Sequence, residues 1–293
     1  MKQHTKRFLS LAGLLLAGAT LNAAVIYEGF ADSDTSLKDN STGTGLTGTW
    51  SGDSRPDVEA QTSNMDFGNL QRSGNQVSAD GSWFPNNASI DNPSGTGLFS
   101  DGGELWFSML YRVDTGSGRF YFTIGSDTLV NNGNLSAGQA IGFGSASGDL
   151  YAGLWESTAW GSNNLSGPAA TSVDITGDSN VNGADAGSLA TGTTYLIVGH
   201  AQWGATGTDD DIVELYLPDT NLNLGSVVAR SEGVVDQSTF DLINTNHGNG
   251  LESTWDEIRV GATYDSVSPV PEPSSFALIA GFLGLTWVML RRR

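Results

Sequence analysis

Asp209, Asp211 and Glu214 crowd together in the segment Asp209-Asp210-Asp211-Ile212-Val213-Glu214. Retaining glycosidic hydrolysis needs two carboxyl groups about 5 Å apart, which neighbouring positions on one strand face supply. The alternation of the segment also fits a plainer role. Val213, Leu215 and Leu217 fall on one face, with Glu214 and Tyr216 on the other, as in a half-buried strand. A second group runs from Asp174 to Asp185. Oxygen-bearing side chains at Asp174, Thr176, Asp178, Asn182 and Asp185 suit calcium, which takes six to eight oxygen ligands. A solvated Asx/Gly turn is the alternative there, because Ser179 stands where a sharp metal loop needs glycine.

Two tryptophans sit in turn-like sequence and are the candidates for stacking on sugar rings: Trp83 in Gly-Ser-Trp-Phe-Pro and Trp160 in Thr-Ala-Trp-Gly-Ser. Trp106 and Trp155 lie inside apolar runs and are expected in the core. His200 is placed in a strand as hydrogen-bonded packing, and His247 in an Asn-rich loop. Neither Gly-x-Ser-x-Gly nor Gly-x-Gly-x-x-Gly occurs, so nothing marks a serine nucleophile or a dinucleotide site. The chain has 0 cysteines, which excludes disulfides, thiol catalysis and Cys-based metal sites.

The elements that must position these groups read as strands. Gly, Ser, Thr, Asn and Asp dominate, and short apolar or alternating runs recur between turn clusters. The runs are 25–30, 104–113, 119–124, 140–143, 150–155, 194–203, 212–217 and 257–260. Runs 104–113 and 119–124 read as neighbours joined by Asp-Thr-Gly-Ser-Gly. No window sustains a helical period. Strands at such spacing, with glycine-rich turns, predict an all-β antiparallel sandwich or jelly roll.

Both ends read as addresses rather than fold. Lys2, Lys6 and Arg7 precede an apolar stretch over 8–21 and the small residues Asn22-Ala23-Ala24, the layout of a signal peptide over 1–24. At the other end, Val270-Pro271-Glu272-Pro273 leads into an apolar span over 275–290 and then Arg291, Arg292 and Arg293. As a helix this span suits a single transmembrane segment with cytoplasmic arginines. Of the 13 basic residues six lie in these ends, and of the 32 acidic residues only Glu272 does. The body over 25–268 therefore carries about −24, a charge that repels nucleic acid.

The C-terminal layout resembles the PEP-CTERM sorting signal of diderm bacteria. The resemblance implies an exosortase-type membrane partner, a transient inner-membrane anchor, and export to the cell surface or extracellular matrix. In the body, Val25-Ile-Tyr-Glu-Gly-Phe, Gly45-Leu-Thr-Gly-Thr-Trp-Ser-Gly, Leu105 to Val113, Asp211-Ile-Val-Glu-Leu-Tyr-Leu-Pro and Trp255-Asp-Glu-Ile-Arg-Val-Gly resemble, in order, strands of LamG-like, concanavalin-type domains. That resemblance implies pairing of 26–30 with 258–260. The carboxylate segment is similar to the Glu-x-Asp-x-x-Glu strand of laminarinase-type glycoside hydrolases, departing from it at Asp209 and Asp210. The loop over 174–185 is similar to a dockerin-type calcium loop. Together these predict an exported, non-enzymatic glycan-binding or adhesive module of the exopolysaccharide matrix. The alternatives are a laminarinase-type hydrolase and a purely structural matrix protein.

Overall fold

Among the described residues eighteen strands form in chain order because β-branched and aromatic residues alternate with small polar ones between turns. The computed structural model describes residues 26–30, 35–62, 65–82, 84–126, 129–130, 134–135, 138–146, 149–157, 171–172, 189–248 and 250–269. The strands are Ile26–Glu28 (β1), Thr35–Ser36 (β2), Leu46–Gly52 (β3), Asp57–Ala60 (β4), Asn75–Ala79 (β5) and Phe84–Ile90 (β6). Next come Glu104–Thr115 (β7), Arg119–Gly125 (β8), Leu129–Val130 (β9), Asn134–Leu135 (β10), Gly138–Ala146 (β11) and Asp149–Ser157 (β12). The last six are Thr171–Ser172 (β13), Thr194–Gln202 (β14), Asp211–Tyr216 (β15), Val227–Gly233 (β16), Leu242–Gly248 (β17) and Glu252–Gly261 (β18).

A 10-stranded sheet runs β13-β16-β15-β14-β7-β18-β5-β4-β2, with β1 also paired to β18. A 6-stranded sheet runs β12-β11-β8-β17-β6-β3. All the pairings are antiparallel, and the two sheets enclose one core, so the all-β jelly-roll-like architecture expected from the alternation is present. The first strand pairs with the last over part of the range the resemblance implied: Ile26 opposite Val260, Tyr27 opposite Arg259 and Glu28 opposite Ile258.

The expected pairing of 104–113 with 119–124 is corrected. β7 belongs to the larger sheet and β8 to the smaller, so the turn between them carries the chain across the sandwich. Their inward side chains meet face to face instead. The Tyr111 and Phe120 rings stack at 4.6 Å between centroids, and Phe107 lies 5.6 Å from Phe122. Trp50, Phe143, Trp255 and Ile258 fill the same core.

A β-bulge lets β18 change neighbours. It pairs with β5 up to Trp255 and with β1 from Ile258 onward, and its register against β7 shifts between Asp256 and Arg259. Glu257 holds a positive φ of 57° there, a conformation that costs a side-chain-bearing residue roughly 1–3 kcal/mol. Its buried carboxylate accepts from the Ser73 amide at 2.6 Å and the Tyr27 hydroxyl at 3.1 Å, and pairs with Arg259. Asp256 accepts from the Glu257 amide at 2.7 Å and from Gln61 Nε2 at 2.8 Å. Burial and the adjacent Glu257 push Asp256 up to about 8, against the pull of Arg72.

The expectation of a membrane-spanning sorting helix is also corrected. Among the described residues no helix is long and apolar enough to cross a membrane. The α-helix they contain, Tyr264–Val267 (α1), has 4 residues, about 6 Å of rise against a hydrocarbon core of about 30 Å. An exosortase partner, membrane contact and a transient inner-membrane anchor therefore have no element to carry them there, and no span is assigned. The segment 1–24, the motif Val270, Pro271, Glu272 and Pro273, the span 275–290 and Arg291, Arg292 and Arg293 lie outside the described residues.

Candidate functional site

The three clustered carboxylates do not converge. Asp211 is buried and faces the core side of β15, where its oxygens accept the Gly204 amide at 2.9 Å and the Val235 amide at 2.8 Å. Burial raises its pKa above the ordinary range, and those two amides pull it back. Asp209 accepts from the Thr206 amide and hydroxyl, both at 3.0 Å, and closes a turn. Glu214 lies on the opposite face of β15, accepting from the Tyr216 hydroxyl at 2.7 Å beside Arg230 at 3.4 Å. Each carboxylate has its own structural task, so the laminarinase-like geometry is absent at these residues.

The other expected site residues, Trp83, Trp160, Asp174, Thr176, Asp178, Asn182 and Asp185, lie outside the described residues. Among the described residues no group of three or more His, Cys, Asp or Glu is placed to hold a metal ion. His200 is strand packing as expected. Its imidazole stacks on Trp106 at 4.0 Å and shares a hydrogen bond with Glu104 at 3.0 Å. His247 is not in a loop. It lies fully buried in β17 against Trp255, and desolvation lowers its pKa to about 4.

Trp106 and Trp155 correct a further expectation, since both lie on outer sheet faces rather than in the central core. Trp106 is partly buried against the cluster of Leu110, Leu196, Val198 and Tyr216 outside the larger sheet. Trp155 packs outside the smaller sheet with Tyr121, Ala140 and Tyr151. There the pleat builds a set of groups that sequence inspection missed.

On β8 the inward residues are Phe120, Phe122 and Ile124, which leaves Arg119, Tyr121 and Thr123 outward. Cross-strand register then assembles rows. Tyr151, Gly144, Tyr121, Asn246 and Pro85 are successive partners across five strands. Gly153, Gly142, Thr123, Asn244, Asn87 and Ser51 form the next row. Trp155 and Ala140 start a third. Arg119 and Asp149 both pair with Ala146 at one end of the face.

The floor of these rows is made of small residues, and rings lie over it. A Cβ at Gly144 would overlap the Tyr151 ring, and one at Gly153 would overlap the Trp155 ring. Tyr151 meets Tyr121 edge-on, with centroids 6.3 Å apart. Burial and the Tyr121 phenol hold the Tyr151 hydroxyl well above its usual pKa, so it stays protonated, although Arg119 opposes this. Asn244 Nδ2 donates to Thr123 Oγ1 at 3.3 Å, and Ser51 Oγ donates to Asn87 Oδ1 at 2.7 Å. Trp155 is 4% exposed, and among the described residues its indole N–H, like that of Trp255, is buried without a hydrogen-bond partner. A buried donor of this kind is uncommon in a folded protein, because desolvation without a partner is unfavourable. The sequence signals were the alternation Ala140-Ile-Gly-Phe-Gly144, small outward and large inward, and Asn244-Thr-Asn246.

Comparison with known proteins returns architecture alone. No family model matches the chain, and no curated protein matches it. The PEP-CTERM and LamG-like memberships that the motifs implied are thus corrected, leaving the two-sheet fold. Among solved structures, the chain is similar to an endo-β-1,4-glucuronan lyase from the fungus Trichoderma reesei, with TM-score 0.44 and 11% identity over 84% of this chain and 99% of that one. It is similar to an alginate lyase from Aplysia kurodai, with TM-score 0.48 and 8% identity over 82% of this chain and 100% of that one. It is also similar to a carbohydrate esterase of the Shiga toxin-encoding bacteriophage phi24B, with TM-score 0.43 and 12% identity over 82% and 99%. The expectation of a non-enzymatic body is withdrawn, and no activity is carried over to this chain from these structures. At such scores and identities, the likeness stops at an all-β sandwich.

Proposed function

We propose that this protein handles carbohydrate, on the outer face of its six-stranded sheet. The observation that carries the reading is the aromatic group of Trp155, Tyr151 and Tyr121 set over a small-residue floor. Sugars present apolar C–H faces and a rim of hydroxyls. Aromatic rings match the first, and the exposed Ser51 hydroxyl and half-buried Asn87 amide match the second. The face crosses six strands, about 24 Å at ~4.8 Å per strand.

Cleavage of the bound chain is a second reading, favoured by Tyr151 and Asp149. Both are outward-facing residues of β12, two positions apart. In an eliminative cleavage a carboxylate takes the C5 proton of a uronate unit while a neighbouring phenol gives a proton to the departing oxygen as the C4–O bond breaks. Two-carboxylate hydrolysis is not what this set offers, since the rows described carry Asp149 alone as a carboxylate.

Affinity electrophoresis of the intact chain and its Trp155→Phe and Tyr151→Ala variants in polysaccharide-containing gels tests the site. The intact chain should be retarded, and both variants less so. Retardation equal in all three would reject this face. Incubating a retained polymer with the intact chain and with Tyr151→Phe, then measuring new reducing ends, tests cleavage. Product formation undiminished in Tyr151→Phe would remove that residue from the chemistry.

A further inference from the structure

Residues 65–73 lie across the outer face of the larger sheet. Met65, Phe67 and Leu70 pack there with Leu110, Leu196, Val198 and Val267. The C-terminal end of the segment is fastened by polar groups instead. Ser73 donates its amide to Glu257 at 2.6 Å, and the Tyr27 and Ser73 hydroxyls share a hydrogen bond at 2.6 Å. Arg72 reaches Asp66 and, at 3.5 Å, Asp256, while Arg259 donates to the Gln71 carbonyl and to Glu257. Gln61 Nε2 donates to Asp256 at 2.8 Å and to the Ser73 carbonyl at 3.2 Å.

Three carboxylates, Asp66, Asp256 and Glu257, meet two guanidiniums, Arg72 and Arg259, in this fastening. Asp66 is exposed, whereas Asp256 and Glu257 are adjacent and fully buried. From the neighbouring strands, β7 sets Leu110 opposite Asp256, and its Arg112 turns away to Asp114 and Thr254. β5 contributes Gln76, which accepts from the Thr62 amide, and β1 contributes the Tyr27 phenol. Among the described residues no third cation pairs with Asp256 or Glu257. Arg72 Nε and Arg259 Nη1 are also buried with no hydrogen-bond partner among those residues. Such orphaned donors, and the positive φ of Glu257, offset part of what the network contributes to closure.

We propose that residues 65–73 form a strap held down by one buried proton, on Asp256. With Asp256 neutral, two carboxylates meet two guanidiniums and the strap lies closed. Once the proton is lost, a third negative charge is buried beside Glu257, and lifting the strap returns it to water. The lifted strap bares Leu110, Leu196 and Val198 of the sheet beneath. Burial and the adjacent Glu257 push Asp256 up to about 8 in the closed form, whereas a solvated aspartate gives up its proton near pH 4. The open form therefore binds fewer protons between those limits. Its population grows with pH across that range, by up to about tenfold per pH unit, and levels off above about pH 8.

Trypsin cleavage between Arg72 and Ser73 reads the open strap, because the Arg72 side chain is buried in the closed one. Rates on the full chain are measured at intervals from about pH 6.5 to 9.5, above the range in which His247 titrates. Dividing them by rates on an unstructured peptide carrying the same bond removes the pH dependence of trypsin itself. Normalised cleavage should rise about tenfold or more up to pH 8 and then level off. Asp256→Asn fixes the neutral state, so its cleavage should stay slow and change less than about twofold over the same range. A flat profile for the natural chain overturns the strap, and so does an equal rise in Asp256→Asn. Cuts at Arg112 and Arg230 that keep pace with the one at Arg72 also overturn it, since they report unfolding of the larger sheet. Where Asp256→Asn does not fold, the profile and cutting pattern of the natural chain still decide.

Discussion

The Tyr151 ring lies across Gly144, its cross-strand partner, in the space a Cβ would occupy. Glycine at 144 is therefore what lets the phenol lie flat beside Tyr121. Gly144→Ala should lift the ring and cost about 1–3 kcal/mol, the usual range for overpacking. Polysaccharide retardation should fall along with it. Thermal unfolding and affinity electrophoresis of the variant check both effects. A variant of unchanged stability and unchanged retardation would show that the ring position does not matter.

Trp155 permits a cleaner separation of folding from binding. Among the described residues its N–H has no partner, so Trp155→Phe removes a donor that makes no hydrogen bond with them. Unfolding free energy should change by no more than about 1 kcal/mol, from the smaller ring alone. Glycan affinity should weaken by about 1 kcal/mol, roughly fivefold, as the ring available for stacking shrinks. Urea unfolding and titration with the retained polymer measure the two quantities. A large loss of stability with intact affinity would make Trp155 a packing residue.

Much of the frame was legible before any coordinates. The alternation Asp211-Ile-Val-Glu-Leu-Tyr set Val213 and Leu215 on one face, and both lie in the core. The sheet to which each strand belongs was less accessible. A turn such as the one after Thr115 reports that the chain reverses, not whether it returns to the same sheet. The candidate site stayed hidden for a related reason. Gly142, Gly144, Tyr121 and Asn246 lie far apart in sequence and become neighbours only through register. Carboxylates attract attention as chemistry, yet Asp209, Asp211 and Glu214 each turned out to hold the local fold.

Glu28 shows what such a structural carboxylate contributes. Buried in β1, it accepts from the Phe30 amide at 2.7 Å, the Gly43 amide at 2.8 Å and Trp50 Nε1 at 3.0 Å. Phe30 has a φ of 50°, unfavourable for an aromatic residue, and the first of these bonds holds it there. Glu28→Gln would turn an amide NH2 toward donors that now share one acceptor group. The expected loss is about 2–3 kcal/mol, the scale of hydrogen bonds to a charged group. Chemical denaturation checks it, and a loss below about 0.5 kcal/mol would mean that the network tolerates a neutral acceptor.

His247 sets an acid limit on stability. It lies between β17 and Trp255, with Asp80 and the Ser82 backbone nearby, and burial lowers its pKa from 6.5 to about 4. The folded state thus disfavours the protonated ring, while the unfolded state takes up a proton near pH 6.5. Between about pH 6.5 and 4 the unfolded chain binds more protons, so this residue makes stability fall as pH falls, by up to about 3 kcal/mol. Asp256 acts in the opposite sense. Raised from 3.8 to about 8, it favours the folded state toward acid and loses that contribution as pH rises. The wild-type profile mixes the two, so the informative quantity is its difference from His247→Gln. That difference should shrink steadily from pH 6.5 to 4 and stay constant above neutrality. A difference flat across the whole range would show that His247 titrates as an ordinary, solvated imidazole.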